Sequence, residues 1–440
     1  MEHHLADELV DQLGRRFGHH RVEPRSVVAP ADESTLFVSA GIQLWRDWAL
    51  SGHPGRTGRV GLQWCVRTNR TDVPARRGVS TSFAMVSHVS RGAVERERYF
   101  EGLFEAFHAV GLPPDRLAFI ASADESGGLS DTSSVDALTR MGFPERRIGS
   151  TARRFAAPLT GGPFGPNLLV LADNGTPCGP GCTSTCPCGR WFHFWNCEFL
   201  DFRVEGPGAA AGAQEPLVDS AGGAERLAAA VLGLSDIYEL PTLRSLYAQV
   251  VAVCEGDRDH DAETAEGLLR QVADHVRTVA LIIGAGVSPG PKRQGHVLRR
   301  LLRRAFLGLE LLGSPPDRLV GPVALAAAAY RRWRGFPGLP DSSLGLVRAE
   351  AESFRTLMAA GRREYEKLTR DGSAITAELL FRLKSERGIP VELVRAWASR
   401  DGTELDASGM AGHITTEQRL SRDQFVPRRS VSSSGTPSTP

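Results

Sequence analysis

The sequence predicts an α+β fold, with a mixed strand–helix N-terminal half followed by an all-helical C-terminal half. Three observations carry that expectation. Up to about residue 222, short runs rich in Val, Phe, Trp and Leu alternate with amphipathic stretches. From about residue 223 the apolar spacing becomes helical and stays so. The last stretch, "VPRRSVSSSGTPSTP" (426–440), is Ser/Pro-rich and too poor in apolar residues to build a core. The expected domains are 1–235, a helical domain over 236–420 and a disordered tail over 421–440.

The elements follow in chain order. Leu5, Leu9, Val10 and Leu13 mark a helix over about 4–17. "TLFVSAG" (35–41) and "GLQWCVR" (61–67) read as strands. "ERERYFEGLFEAFHAVG" (95–111) is a helix with Phe100, Leu103, Phe104 and Phe107 on its apolar side. "LLVLA" (168–172) and "RWFHFWNCEFLDF" (190–202) read as strands, and "GPGAAAGAQEP" (206–216) as a flexible loop between strands. "QGHVLRRLLRRAFLGLELL" (294–312) is the clearest helix. Val297, Leu298, Leu301, Leu302, Ala305 and Phe306 form its apolar stripe, opposite Arg299, Arg300, Arg303 and Arg304. No internal repeat is visible.

Composition narrows the class. The 440 residues are 41% hydrophobic with a formal net charge of +1. Any contact with nucleic acid must therefore come from a local basic patch and not from global charge. The N-terminal stretch lacks the apolar segment of a secretory signal, and no run of about 18 apolar residues suggests a membrane span. Seven cysteines, four of them crowded between residues 178 and 188, point to a reducing, cytoplasmic setting with metal or free thiols.

Two stretches hold arginines beside glycine-rich or strand-end segments: "CVRTNR" with Arg67, and "VDSAGGAERL" with Asp219 and Arg226. Guanidinium groups on rigid elements suit a polyphosphate, which they bind in bidentate fashion, although an arginine beside a strand is more often a surface ion-pair residue. Cys178, Cys182, Cys186 and Cys188 read C-x₃-C-x₃-C-x-C. That spacing is compatible with a tetrahedral zinc site, with His193 as an alternative ligand, and equally with free thiols in a Gly/Pro loop.

Seven motifs in order, covering about residues 5–395, resemble the alanyl-tRNA synthetases, a branch of the class II aminoacyl-tRNA synthetases. They are "STLFVSAGIQLWRDWALSG", "CVRTNR", "SFAMVSHVSRG", "PCGPGC", "RWFHFWNCEFLDF", "VDSAGGAERL" and "ADHVRTVALIIGAGVSPGPKRQGHVLRRLLRRA". The resemblance implies an antiparallel class II sheet with flanking helices, then a helical domain that contacts the tRNA acceptor stem. It implies that ATP and Mg²⁺ are used. Arg67 would hold the α-phosphate and carboxylate, Arg226 the γ-phosphate, and Phe83, with Met85, the adenine. Asp219 would bind a substrate amino group, with Asn196 and Ala221 beside the aminoacyl pocket. Arg293, Arg299, Arg300 and Arg303 would face the tRNA.

The departures carry information of their own. Glu198 stands where the family has a valine that lines the alanine methyl pocket, and strand alternation puts it on the face of Asn196. A glutamate at the rim, paired with water or arginine, is the plainer reading. The pocket-closing tryptophan has no counterpart among Leu168, Leu169 and Val170. Two family acids are replaced by Ala84 and Asn174, and two polar readers of the acceptor stem by Arg293 and Ser385. No segment matches the family's editing or C-terminal domains.

The expected function is ATP-dependent activation of a small amino acid or related carboxylic acid as an acyl-adenylate, in specialised small-molecule biosynthesis. The acyl group would pass to tRNA, a carrier protein or an amine, and alanine is not the expected substrate. The alternatives are a non-catalytic tRNA-binding regulator and a minimal alanyl-tRNA synthetase. The state expected is monomer or dimer, with no membrane contact.

Overall fold

A computed structural model describes residues 2–28, 35–51, 57–68, 78–123, 130–152, 156–159, 161–175, 178–206, 209–254 and 261–409. The expected disordered tail over 421–440 lies outside the described residues. The chain divides into two compact units, Met1–Ala351 and Glu352–Pro440.

The first unit begins with α1 (Glu2–Phe17), the short strand β1 (His20–Arg21), α2 (Arg46–Ala49), and the hairpin β2 (Gly58–Val66) and β3 (Ser82–Arg91). Next come α3 (Arg96–Ala109), β4 (Leu117–Ala123), α4 (Thr132–Arg140), β5 (Ile148–Ala152) and β6 (Asn167–Asp173). A long hairpin of β7 (Trp191–Gly206) and β8 (Ala209–Gly223) then leads into α5 (Ala224–Leu232). Helices α6 (Pro241–Val253), α7 (Ala262–Gly284), α8 (Arg293–Leu311) and α9 (Val320–Tyr330) complete it. The dividing point falls within α10 (Leu344–Thr369). The second unit continues with α11 (Ala377–Arg387) and α12 (Val391–Asp401), whose core holds Tyr365, Leu380, Ile389, Val394 and Trp397.

The eight strands form one sheet in the order β1-β2-β3-β8-β7-β6-β4-β5. The six central strands are antiparallel, as expected, and the two edge pairs β1–β2 and β4–β5 are parallel. Alternation along β7 divides its side chains between the two faces. Trp195, Cys197 and Phe199 are fully buried, with Phe199 5.8 Å from Phe100 and Trp195 5.3 Å from Phe107 of α3. Each aromatic side chain removed from water here contributes about 2 kcal/mol. Asn196 and Glu198 point to the opposite face. At Gly222, a Cβ would stand 2.3 Å from Trp195 Cε3 and 2.5 Å from the Phe194 carbonyl, so only glycine lets β8 lie against β7 there.

Two expectations are corrected. "TLFVSAG" is not a strand. Its backbone makes single contacts, Val38 N to Val27 O and Val66 N to Val38 O, while the Gln43 side chain accepts from Ser39 N and Ala40 N. A side chain thus takes the donors that a strand would offer a neighbour, and the chain turns into a short 3₁₀ helix at Gly41–Trp45. "GPGAAAGAQEP" is largely strand, because β7 continues to Gly206 and pairs with β8 from Ala209 onward. The small residues that suggest flexibility are tolerated because the ladder satisfies their backbone groups. Residues 207–208 lie outside the described set.

Candidate active site

A cavity of about 510 Å³ opens on the sheet face opposite α3. Arg67, Phe83, Met85, Asn196, Glu198, Ala221 and Arg226, named from the sequence, all line it, together with Asn167, Leu169, His193 and the glycines at 78, 222 and 223.

Arg67 follows β2. Its backbone N donates to Thr81 O at 2.8 Å, its Nε to Ser39 O at 3.2 Å, and its guanidinium lies 4.9 Å from the Phe83 ring centroid. Phe83 and Met85 alternate on the cavity face of β3, while Ala84 is fully buried and does not line the cavity. Arg226 stands in the first turn of α5. Its Nε donates to Gly78 O at 2.5 Å, and that glycine has φ of +64°, which favours a residue without Cβ. Arg226 Nη1 meets His193 Nδ1 at 3.2 Å, and His193 Nε2 meets Asn196 Oδ1 at 3.1 Å. With the imidazole proton on Nε2, donation runs from Arg226 through His193 to Asn196. His193 therefore orients two cavity groups and stands apart from the thiol cluster; only its adjacency in sequence suggested a metal ligand.

On the acid side a row runs across three strands, in which Asn167 of β6 opposes Glu198 of β7, both lining the cavity, and Glu198 opposes Asp219 of β8. Residues directly opposite share one face with Cβ atoms about 5 Å apart. Asp219 is 6% exposed and is not among the residues that line the cavity. Burial first, and the Glu198 charge second, hold its carboxyl well above the usual carboxylate range, with Arg67 pulling the other way. Of the tryptophan positions considered from the sequence, only Leu169 faces the cavity; Leu168 and Val170 are fully buried.

A buried polar cluster supports the arginine side, and sequence reasoning missed it. Arg277 of α7 is fully buried, and its Nη1 meets Glu225 Oε1 at 2.7 Å and Tyr330 OH at 3.2 Å; its Nη2 donates to Ser82 O. Asp274, one turn earlier, accepts from Thr81 N at 2.9 Å. Helix α7 thus pins the start of β3, and through Thr81 the backbone of Arg67.

The four cysteines lie in the β6–β7 loop, and their sulfurs are all within 4.8 Å of one another. Cys178 and Cys186 are 3.4 Å apart, and Cys182 and Cys188 are 3.7 Å apart. An Asp173–Arg190 ion pair closes the loop base, and Asn174 Nδ2 donates to Gly189 O at 2.9 Å, which places Asn174 in this base and outside the cavity wall. The described residues of this Cys loop are likewise outside the cavity lining.

On α8, Arg299 Nε and Arg303 Nε reach the two oxygens of Glu350 at 3.3 and 2.9 Å. Burial lowers the Arg300 pKa below its usual value, with Arg304 adding to the effect. Arg293 opens the helix with φ of +49°, the one non-glycine residue at positive φ among those described. The neighbouring Gln294 donates to Leu36 O at 3.0 Å. Ser385 lies on α11.

Comparison with known proteins follows the same lines. A family profile described as tRNA synthetases class II (A) matches residues 15–435. An alanine–tRNA ligase of Borreliella afzelii (strain PKo) is 27% identical over 92% of this chain and 70% of its own length. One of Desulforudis audaxviator (strain MP104C) is 29% identical over 92% of this chain and 47% of its own. The solved RNA binding domain of threonyl-tRNA synthetase from Cryptosporidium parvum Iowa II aligns with 61% of this chain and 79% of that chain, at 11% identity and a TM-score of 0.35. No described helix is long and apolar enough to cross a membrane. The profile match from residue 15 to residue 435, over an antiparallel core that sets Arg67 and Arg226 in one cavity, means that this chain belongs to the class II (A) tRNA synthetases.

Proposed function

We propose that this protein uses ATP to activate a small amino acid or related carboxylic acid other than alanine as an acyl-adenylate, and passes the acyl group to an acceptor, tRNA first among the candidates. The observation that carries the reading is that Arg67 and Arg226 line the same cavity as Asn196 and Glu198. In the reaction, a carboxylate oxygen of the acid attacks the α-phosphorus of ATP. The bond to the bridging oxygen breaks, and pyrophosphate leaves with the electron pair. No side-chain nucleophile is needed; placement and charge neutralisation suffice. Arg67, steered by Ser39 O and the Phe83 ring, is assigned to the α-phosphate and carboxylate. Arg226, fixed by Gly78 O, is assigned to the γ-phosphate, with Mg²⁺ arriving on the nucleotide. Phe83 and Met85 form the adenine wall.

Three further roles belong to this reading. Arg293, Arg299, Arg300 and Arg303 are assigned to tRNA phosphates, where α8 presents guanidinium groups already steadied by Glu350. Cys178, Cys182, Cys186 and Cys188 are assigned to a structural Zn²⁺. Tetrahedral Zn–S bonds of about 2.3 Å require sulfur–sulfur separations of about 3.8 Å, and the Cys178–Cys186 and Cys182–Cys188 pairs, at 3.4 and 3.7 Å, lie close to that. Ala84 and Asn174, the replacements that motivate the non-catalytic alternative, both lie outside the cavity lining, whereas Arg67 and Arg226 belong to it, which favours the catalytic reading.

The test is ATP–pyrophosphate exchange across a panel of small acids. Arg67→Ala or Arg226→Ala should each lower exchange with the preferred acid by on the order of 10²-fold. Full exchange activity in both variants overturns the assignment.

A further inference from the structure

His193 reaches the cavity because β7 carries one extra residue against β6. Leu171 of β6 opposes His193, but the residue before it, Val170, opposes Trp195, so the register slips by one at Phe194. His193 and Asn196 are three apart, an odd separation that puts side chains on opposite faces of a regular strand. The extra residue restores them to one face. Both line the cavity, while the rings of Phe194 and Trp195 pack on Phe107 of α3 at 5.1 and 5.3 Å. A bulge that re-aims a side chain beside a site is a built feature and not a defect.

The surroundings of the ring then fix its state. Nε2 lies 3.2 Å from Trp195 O and 3.1 Å from Asn196 Oδ1. A backbone carbonyl only accepts, so Nε2 carries a proton. Nδ1 lies 3.2 Å from Arg226 Nη1, and a guanidinium only donates, so Nδ1 holds the lone pair. Two neighbours that cannot change roles thus select one neutral tautomer. The other tautomer would set N–H against guanidinium and lone pair against carbonyl, and the protonated ring would put a second cation beside Arg226. The Nε2–H bond also fixes the Asn196 amide. Its oxygen faces His193, so its Nδ2 donors are left for the cavity that Asn196 lines. Arg226 is meanwhile held at two points, Nε by Gly78 O and Nη1 by His193, which fixes the plane of the guanidinium.

We propose that His193 is a positioning residue for adenylation. As the neutral Nε2–H imidazole it holds Arg226 for the triphosphate and turns the Asn196 amide so that its N–H groups meet an oxygen of the acid. The inference rests on the adenylation reading above and adds to it a side-chain link between the two ends of the pocket. His193 acts through Arg226 and Asn196, and the link does not include Asn167, Glu198 or Asp219. A charge-neutralising group works only where charge develops, so a guanidinium that swings on one bond loses much of its effect.

The experiment separates the two contacts. The side chain of His193→Asn can place its oxygen where Nδ1 stands, and that of His193→Gln its nitrogen where Nε2 stands. ATP–pyrophosphate exchange with the best acid of the panel is measured in wild type, in these two variants and in His193→Leu. His193→Asn should keep the KM for ATP within about threefold and raise that for the acid about tenfold, and His193→Gln should do the reverse. His193→Leu should raise both about tenfold. Binding of Mg²⁺–ATP alone, by calorimetry, gives a readout independent of turnover: His193→Gln and His193→Leu should weaken it about tenfold, and His193→Asn should leave it within about threefold. In protein labelled with ¹⁵N-histidine, the ring signals missing from His193→Gln should show the neutral Nε2–H tautomer at neutral pH. The inference is overturned if His193→Asn and His193→Gln shift the two KM values alike, if His193→Leu behaves as wild type, or if the ring is Nδ1–H or doubly protonated. No wild-type exchange with any acid would instead defeat the adenylation reading, and this inference with it.

Discussion

Replacing Arg277 by methionine should be among the most damaging single changes in the first unit, and the structure gives the size of the effect. The Arg277 side chain has no solvent exposure, and its partner Glu225 has 2%. The substitution keeps much of the volume, so the cost is electrostatic. It removes the donor held at 2.7 Å from Glu225 Oε1, the donor to Ser82 O and the contact with Tyr330 OH. Breaking one half of a buried pair costs about 3–5 kcal/mol, most of it from the charge left behind. Glu225 limits the loss by taking up a proton. Burial already raises its pKa, and Arg277 is the largest opposing influence. Without Arg277 the folded-state pKa rises further. The native state then binds a proton that the unfolded state lacks over a wider range above the unfolded value, so stability falls more steeply as pH rises and the gap to wild type narrows in acid. Urea unfolding followed by tryptophan fluorescence is a suitable assay, since Trp64 is buried 5.6 Å from Tyr330. The double variant Glu225→Gln/Arg277→Met should recover about 1–3 kcal/mol relative to the sum of the single changes. A loss below about 1 kcal/mol, or strict additivity in the double variant, would refute the account.

Two other outcomes are expected. Purified protein should carry about one zinc per chain, lost in Cys186→Ser together with a fall in melting temperature; metal-free protein with four titratable free thiols, or with two disulfides, would remove zinc from the account. Asp219→Asn should be more stable than wild type at neutral pH and should converge on it in acid. Its raised pKa means that the native state keeps a proton the unfolded chain has released, so wild-type stability falls as pH rises from about 4 through the raised value, and the amide does not share that fall. Parallel thermal unfolding curves for the two proteins across pH 4–8 would show the reasoning to be wrong.

The parts of the site legible in the sequence were those set by local chemistry. Arg67 and Arg226 were marked by the strand end and the glycine-rich turn beside them, and period-two alternation placed Asn196 and Glu198 on one face, where both line the cavity. What was not legible depended on pairing over distance. The opposition of Asn167, Glu198 and Asp219 is a matter of register, and a slip of one residue would turn each side chain to the other face. The Glu225–Arg277 pair joins residues 52 apart on two helices, each of which reads as ordinary alone. Composition misled where hydrogen bonding overruled it, as Gln43 did for residues 39–40 and the ladder did for residues 209–216. His193 sits beside a cysteine loop in sequence, yet the irregular register of β6 against β7 near Leu171 accompanies a ring that meets Arg226 and Asn196.

The two sides of the cavity rest on different supports, and this bears on how the pocket could change its acid. Arg67 is held through Thr81 and Ser39, Thr81 and Ser82 are held by α7, and Arg226 is held by the residue 78 turn. None of these hydrogen bonds passes through Asn167, Glu198 or Asp219. The acid row is carried by the β6–β7–β8 ladder, whose backbone bonds are indifferent to which side chains project into the cavity. A valine-to-glutamate exchange at residue 198 can therefore alter what the pocket accepts and leave the arginines where they are. The Gln294 contact with Leu36 O reaches the same segment whose Ser39 O steers Arg67, so the start of the basic helix α8 is tied to the arginine side and not to the acid side. Changes of acid and changes of acceptor then act on separate parts of the framework, and substitutions at Glu198 and at Arg293 should be close to additive in free energy, within about 0.5 kcal/mol, when both are measured in one transfer assay.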